Sequence, residues 1–149
     1  MPASTAQLPC AAGSVAPEEG MATCRPCAAG TYQDEPGLPV CKACVAGHYC
    51  EEGAPVPTAC AAGSFSNASD LTSQAECTVT AAGSFSRRGS AEQTECSPGT
   101  YTAESGMDMC AKCEGGKYQP KKGATQCAPC LKGHYCKHGA SRPVPCPEP

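Results

Sequence analysis

Cys10-Ala-Ala-Gly-Ser-Val, Cys27-Ala-Ala-Gly-Thr-Tyr and Cys44-Val-Ala-Gly-His-Tyr-Cys50 open a stretch that ends at Cys60, and the chain writes this stretch twice. Its seven cysteines, Cys10, Cys24, Cys27, Cys41, Cys44, Cys50 and Cys60, return 86 positions later as Cys96, Cys110, Cys113, Cys127, Cys130, Cys136 and Cys146. Every spacing of C-x13-C-x2-C-x13-C-x2-C-x5-C-x9-C is kept, and Val45-Ala-Gly-His-Tyr-Cys50 becomes Leu131-Lys-Gly-His-Tyr-Cys136. Repetition on this scale marks an array of small supersecondary units rather than one globular core.

A finer period lies inside the large one. The opening phrase, Cys-x-x-Gly followed by a small or polar residue and then usually an aromatic, starts at 10, 27, 44, 60, 96, 113 and 130, and a last opener stands at 146. Thr80-Ala-Ala-Gly-Ser-Phe carries the same wording with threonine in the place of cysteine. The openers recur with a mean period of 17, which makes eight modules and the start of a ninth. The organisation is therefore a lead segment at 1–9, a first cysteine-rich block at 10–60, middle modules at 60–95, a second block at 96–146, and a truncated module at 146–149.

Composition explains why the units must be closed covalently. Fifteen of 149 residues are cysteine, the density of a disulfide scaffold. There is no Ile and no Trp, with four Leu, six Val and two Phe. A fully buried large apolar side chain contributes about 1.5–3 kcal/mol, so this set builds no sizeable core. Small folds of this kind rely on staples. Persistent disulfides place the chain outside the cell, at the cell surface, or in another oxidising lumen. The first nine residues lack a signal-peptide pattern, and no run approaches the roughly 18 apolar residues of a transmembrane helix. The sequence thus reads as a portion of something longer, without a transmembrane segment of its own.

The pairing of cysteines follows from a defect. The closing phrase is a glycine four residues before a cysteine: Gly20 and Cys24, Gly37 and Cys41, Gly106 and Cys110, Gly123 and Cys127. In the module at 80–93 the same offset from Gly89 reaches Gln93, so opener and closer are missing together. Joint loss is the expected signature of two cysteines that bond each other. The pairs are then Cys10–Cys24, Cys27–Cys41, Cys44–Cys50, Cys60–Cys77, Cys96–Cys110, Cys113–Cys127 and Cys130–Cys136, with Cys146 unpaired. Spacing alone does not fix connectivity; the missing pair is the reason for this choice. The module at 80–93, without its staple, is expected to act as a hinge. Glycine in the turns and one Tyr or Phe laid over each disulfide give short two-stranded hairpins with little or no helix. Modules that touch only their neighbours make an elongated rod, with Gly53-Ala-Pro-Val-Pro-Thr and Gly139-Ala-Ser-Arg-Pro-Val-Pro read as stiff spacers.

Three chemical readings compete with a purely structural one. Cys24/Cys27/Cys41/Cys44 and Cys110/Cys113/Cys127/Cys130 approach a four-cysteine zinc spacing, which leaves an intracellular zinc protein as the remote alternative. That reading orphans Cys10, Cys60, Cys77 and Cys96, so no metal and no cofactor are assigned. A redox role for Cys127-Ala-Pro-Cys130 needs a helix starting at the pair to lower a thiol pKa, and the sequence offers none. His48, His134 and His138 are candidate metal or pH-sensing groups, read here as packing or surface residues.

Asn67-Ala-Ser69 is a glycosylation sequon in an expected loop. Charge is uneven: Lys117, Lys121, Lys122, Lys132, Lys137 and Arg142 face no acid between 115 and 147. This forms a candidate basic face for head-to-tail contact between copies or for an anionic glycan. Nucleic acid is not expected, since the net charge is −3 and aromatics do not interleave the lysines. No nucleophile–base–acid constellation or phosphate loop is present, so no catalytic residues are assigned and the chain is expected not to be an enzyme.

Cys-x-x-Gly-Thr-Tyr, Cys-x-x-Cys-x-x-Gly and Gly-His-Tyr-Cys-x-x-Gly resemble the ephrin-receptor-like cysteine-rich modules over about residues 10–146. The resemblance implies a tandem, extracellular array of disulfide units, similar in style to tumour-necrosis-factor-receptor and epidermal-growth-factor-like proteins, serving as stalks, spacers or adhesive surfaces. It brings no catalytic residues with it. The function expected is a structural spacer or assembly segment of a larger surface protein or filament, partnered by other subunits or copies of itself. The alternative is a ligand-binding or adhesive receptor ectodomain.

Overall fold

A computed structural model describes residues 10–16 and 23–147. It divides into two compact units, Met1–Cys60 with Ser66–Cys77 and Ala61–Phe65 with Thr78–Pro149. Each opening phrase turns tightly at its Cys-x-x-Gly and enters a two-residue strand that pairs antiparallel with the two residues preceding the next opener. In the first unit these are β1 (Ser14–Val15) with β2 (Arg25–Pro26), β3 (Thr31–Tyr32) with β4 (Lys42–Ala43), and β5 (His48–Tyr49) with β6 (Thr58–Ala59). In the second unit β7 (Ser64–Phe65) pairs with β8 (Thr78–Val79), β9 (Ser84–Phe85) with β10 (Thr94–Glu95), and β11 (Thr100–Tyr101) with β12 (Ala111–Lys112). The last two pairs there are β13 (Lys117–Tyr118) with β14 (Ala128–Pro129) and β15 (His134–Tyr135) with β16 (Val144–Pro145). One 3-10 turn, Gln74–Glu76, is the sole helical element among the described residues.

Hairpins this short are unstable in isolation. The disulfides close them: Cys10–Cys24, Cys27–Cys41, Cys44–Cys50, Cys60–Cys77, Cys96–Cys110, Cys113–Cys127 and Cys130–Cys136, all with Cα separations of 5.8–6.0 Å. Cysteine also supplies most of the interior. Among the described residues the buried hydrophobic positions are nine cysteines and only Val15, Ala54 and Leu71. Aromatic residues cover the bridge of the following module: Tyr32 packs on Cys44, Cys50 and Ala54, and Tyr49 on Cys60, Leu71 and Cys77.

The modules are joined through backbone groups at fixed positions. The N–H of the opener glycine donates to the carbonyl six residues past the next opener in seven successive modules. The pairs are Gly13 to Gln33, Gly30 to Cys50, Gly47 to Ser66, Gly63 to Ser86, Gly83 to Thr102, Gly99 to Gln119 and Gly116 to Cys136, at 2.7–3.1 Å. The carbonyls of the same glycines accept the N–H of the next opener residue, as Cys27 to Gly13 and Cys96 to Gly83, at 2.8 and 2.9 Å. Because a main-chain carbonyl receives each bond from the glycine N–H, Gln, Cys, Ser and Thr all serve at the receiving position; at Thr102 the side-chain Oγ1 also accepts the Gly83 N–H, at 2.6 Å.

Contacts also reach one module further than the sequence reading expects. Gly13 lies against Gly53, Gly30 against Asp70, Gly63 against Gly106, Gly83 against Gly123 and Gly99 against Gly139. A Cβ at Gly99 would stand 2.4 Å from the Gly139 carbonyl oxygen. The expectation that modules meet only their immediate neighbours is thereby corrected. Glycine at these openers is needed for close approach as well as for its positive φ. Asp70 occupies one such closing turn with φ of 68°, the sole non-glycine residue there among those described.

The Pro-rich stretches are not spacers between modules. Gly53 and Gly139 form the closing turns of their hairpins, and Thr58 and Val144 lie in the returning strands. Pro57 and Pro143 stand four residues after the turn glycine, where other modules place the closing cysteine. Cys50 and Cys136 have already closed those modules by a shorter route.

The module at 80–93 keeps its hairpin without a disulfide. Thr80, in the opener position, is fully buried, and its Oγ1 donates to Ser86 Oγ at 2.6 Å. Gln93, in the closer position, accepts the Ala81 N–H on Oε1 at 2.9 Å. Hydrogen bonds thus span the place of the missing bridge. Each neutral bond contributes about 1 kcal/mol net, against roughly 3 kcal/mol for a disulfide closing a loop of this size. The module is built like its neighbours and is expected to open at lower cost. Its amides are expected to exchange about fivefold faster than those of 96–110, the difference of about 1 kcal/mol between two such bonds and one disulfide. Thr80→Cys with Gln93→Cys should remove that difference. Equal exchange in the unmodified chain would refute it.

Candidate functional site

The exposed surface, not an interior pocket, carries the residues singled out by sequence. Lys117, Lys121, Lys122, Lys132, Lys137 and Arg142 are all exposed. Of these six, only Lys117 has an ion-pair partner among the described residues, Glu114 at 3.9 Å. Lys122 borders a shallow cleft with Glu92 and Glu95, so it faces carboxylates that proximity in sequence does not reveal. The remaining members lie in two adjoining modules, tied by the Gln119 N–H to the Ala140 carbonyl at 3.1 Å.

In the first unit Lys42 Nζ donates to Asp34 Oδ1 at 2.8 Å and stands 5.9 Å from the centre of the Tyr32 ring. That hydrogen bond holds the Asp34 carboxyl below its ordinary pKa and the Lys42 ammonium above its own. Glu76 accepts from the Thr72 hydroxyl and N–H, which lowers its pKa and fixes the loop ahead of Cys77. All three groups are open to solvent, so these pairs order local turns and add little stability.

Asn67, Ala68 and Ser69 are exposed in an irregular loop, with the Ala68 N–H bonded to Ser66 Oγ at 3.1 Å. The sequon is therefore sterically open. His48 and His134 lie in equivalent strands, each with Nδ1 near a carbonyl two residues back, Ala46 at 3.1 Å and Lys132 at 3.0 Å. His138 sits exposed in the closing turn before Gly139. Among the described residues no three His, Cys, Asp or Glu side chains converge on a metal position. Cys24, Cys27, Cys41 and Cys44 belong to three separate disulfides, which leaves no thiolate quartet for zinc. Cys127 and Cys130 likewise belong to different bridges. Cys146 is an exposed free thiol whose N–H donates to the Gly133 carbonyl at 2.9 Å, the joint made by the openers from Cys27 to Cys130.

One open cleft was not evident from sequence. It encloses about 380 Å³ between Tyr101, Ala103, Glu104, Met107, Met109 and Ala111. Its walls are mostly apolar and Met109 is 65% exposed. The methionines belong to the closing loop of a module, where composition gives no periodic signal.

Eight hairpins, seven of them stapled, a cysteine interior and main-chain joints define a tandem disulfide-repeat protein. The model of the family described as tyrosine-protein kinase ephrin type A/B receptor-like matches residues 13–56 and 99–146. These segments make up more than half of the chain, and the chain belongs to this ephrin-receptor-like family. No curated protein matches its sequence. Among the described residues no helix is long and apolar enough to cross a membrane.

Proposed function

We propose that the chain is a non-catalytic, extracellular structural segment of a larger surface protein or filament, in which tandem disulfide modules act as spacer and assembly element. The observation that carries this reading is the repeated joint: seven opener glycines, Gly13 to Gly116, make the same hydrogen bond to the next module. Such joints transmit load along the array, and each disulfide withholds its loop from extension. An oxidising location outside the cell suits seven bridges in a chain of this size. Asn67 is then a site for an N-linked glycan.

Pulling on the oxidised chain from its two ends tests the mechanical role. The expected record contains only short extension steps, because loops behind the disulfides stay hidden until reductant is added. Long steps in the oxidised chain at low force would contradict it. A second reading, a ligand-binding ectodomain, is favoured by the apolar cleft at Tyr101, Met107 and Met109. It requires a saturable complex that Met109→Glu abolishes.

A further inference from the structure

The two cysteine-rich blocks repeat one backbone with the charge reversed. Residues 10–60 carry two basic and six acidic side chains, net −4, while 96–146 carry seven basic and three acidic, net +4. The reversal falls on matching turns. Glu35 and Lys121 stand 86 positions apart in loops braced by the same hydrogen bonds. Gln33 Nε2 donates to the Val40 carbonyl at 2.6 Å and its Oε1 accepts the Glu35 N–H at 3.0 Å. Gln119 Nε2 donates to the Gln126 carbonyl at 2.8 Å and its Oε1 accepts the Lys121 N–H at 2.9 Å.

Glu51 and Lys137 are paired in the same way. Their carbonyls accept the N–H of Ala54 and Ala140, at 3.0 and 2.9 Å, in turns whose glycines, Gly53 and Gly139, share a φ of 78°. In each block the loop and the turn are tied together, by the Gln33 N–H to the Ala54 carbonyl at 3.2 Å and the Gln119 N–H to the Ala140 carbonyl at 3.1 Å. All four charged side chains are exposed, and none makes an ion pair among the described residues. The charged turns are seated in the same way in both blocks: the Gly37 and Gly53 N–H groups donate to the Cys10 and Cys27 carbonyls, and those of Gly123 and Gly139 to Cys96 and Cys113, at 2.7–2.9 Å.

We infer that the acidic face around Glu35 and Glu51 of one copy binds the basic face around Lys121 and Lys137 of a second copy. Equal and opposite charge on matched scaffolds gives complementary potentials, which set orientation and accelerate encounter. A polyanion as partner would engage the basic face alone and leave the acidic face without a role. The inference rests on the assembly reading proposed above and names its partner. The pulling experiment does not depend on association, so either idea can fail alone.

The test is sedimentation of the oxidised chain with the Cys146 thiol capped by alkylation, which removes covalent dimers. Association is expected at about 10 mM salt, where the screening length is about 30 Å, and should be lost near 1 M, where it is about 3 Å. The charge-reversal variant Lys121→Glu/Lys137→Glu should remain monomeric at low salt, and so should Glu35→Lys/Glu51→Lys. The latter pair of changes leaves the basic face intact, so mixing the two variants should restore association. All four positions are exposed, and peptide mapping confirms that each variant keeps its seven bridges. A monomeric chain at low salt, variants that associate as well as the parent, or a mixture that stays monomeric would overturn the inference. Retention on a sulfated polysaccharide without self-association would also overturn it, assigning the basic face to a polyanion.

Discussion

Reduction of the seven disulfides in the absence of denaturant is expected to unfold the chain. Each bridge closes a loop and stabilises by roughly 3 kcal/mol in the chain-entropy model. Nothing else in the interior approaches their sum. Apart from cysteine, the buried hydrophobic residues among those described are Val15, Ala54 and Leu71. Fully buried, Val and Leu contribute about 1.5–3 kcal/mol each. Hairpins with two residues per strand have no independent stability to fall back on. Under excess thiol the radius of gyration should therefore rise toward about 40 Å, the value for an unfolded chain of this length, and amide protection should vanish throughout. A reduced chain that keeps protection in 96–146 would show that the main-chain joints suffice without the staples.

Gly99→Ala is expected to be far more damaging than Gly116→Ala, although both glycines have positive φ and occupy the same place in the opening phrase. An L residue at these angles costs about 1 kcal/mol. At Gly116, with φ of 91°, a Cβ meets nothing within 4 Å, and the backbone term stands alone. At Gly99, with φ of 84°, the same atom lies 2.4 Å from the Gly139 carbonyl oxygen. Two backbones must then separate, a cost of overpacking of about 1–3 kcal/mol more. Hydrogen exchange gives the readout locally, which suits an array without one global transition. Protection of the Cys113 amide, bonded to the Gly99 carbonyl at 2.9 Å, should fall about 100-fold in Gly99→Ala. The Cys130 amide, bonded to the Gly116 carbonyl at 2.8 Å, should lose about fivefold in Gly116→Ala. Equal losses would mean that the Gly99–Gly139 approach is unimportant.

These two glycines also mark how far the sequence could be read. Cys-x-x-Gly at fixed spacing shows that a tight turn recurs, because glycine there answers a backbone requirement. It does not show what the turn touches, since the partner is a main-chain carbonyl of a later module and leaves no side-chain signature. The receiving position six residues past each opener is hidden for the same reason. Gln33, Cys50, Ser66 and Thr102 share no chemistry; what they have in common is the receiving carbonyl, to which Thr102 alone of the four adds its Oγ1. The Tyr32 and Tyr49 plates were legible as covers for disulfides, but the bridge each covers belongs to the following module.

The module at 80–93 was legible as a missing staple and not as a repaired one. Thr80 and Gln93 are ordinary residues until the fold brings the Gln93 side chain to the Ala81 N–H. The basic stretch was visible as a charge run. Its relation to the acidic block required knowing that Glu35 and Lys121 sit on identically braced loops. The cleft at Met107 and Met109 left no trace in the pattern at all.

Peptide mapping of the purified, oxidised chain under non-reducing conditions tests the opener-to-closer architecture most directly. The expected digest contains seven linked pairs, each joining an opener to its own closer, and one alkylated thiol at Cys146. A Cys24–Cys27 or Cys110–Cys113 bond would contradict the module boundaries. Free thiols at Cys24, Cys27, Cys41 and Cys44 holding zinc would contradict the fold, the compartment and the function together.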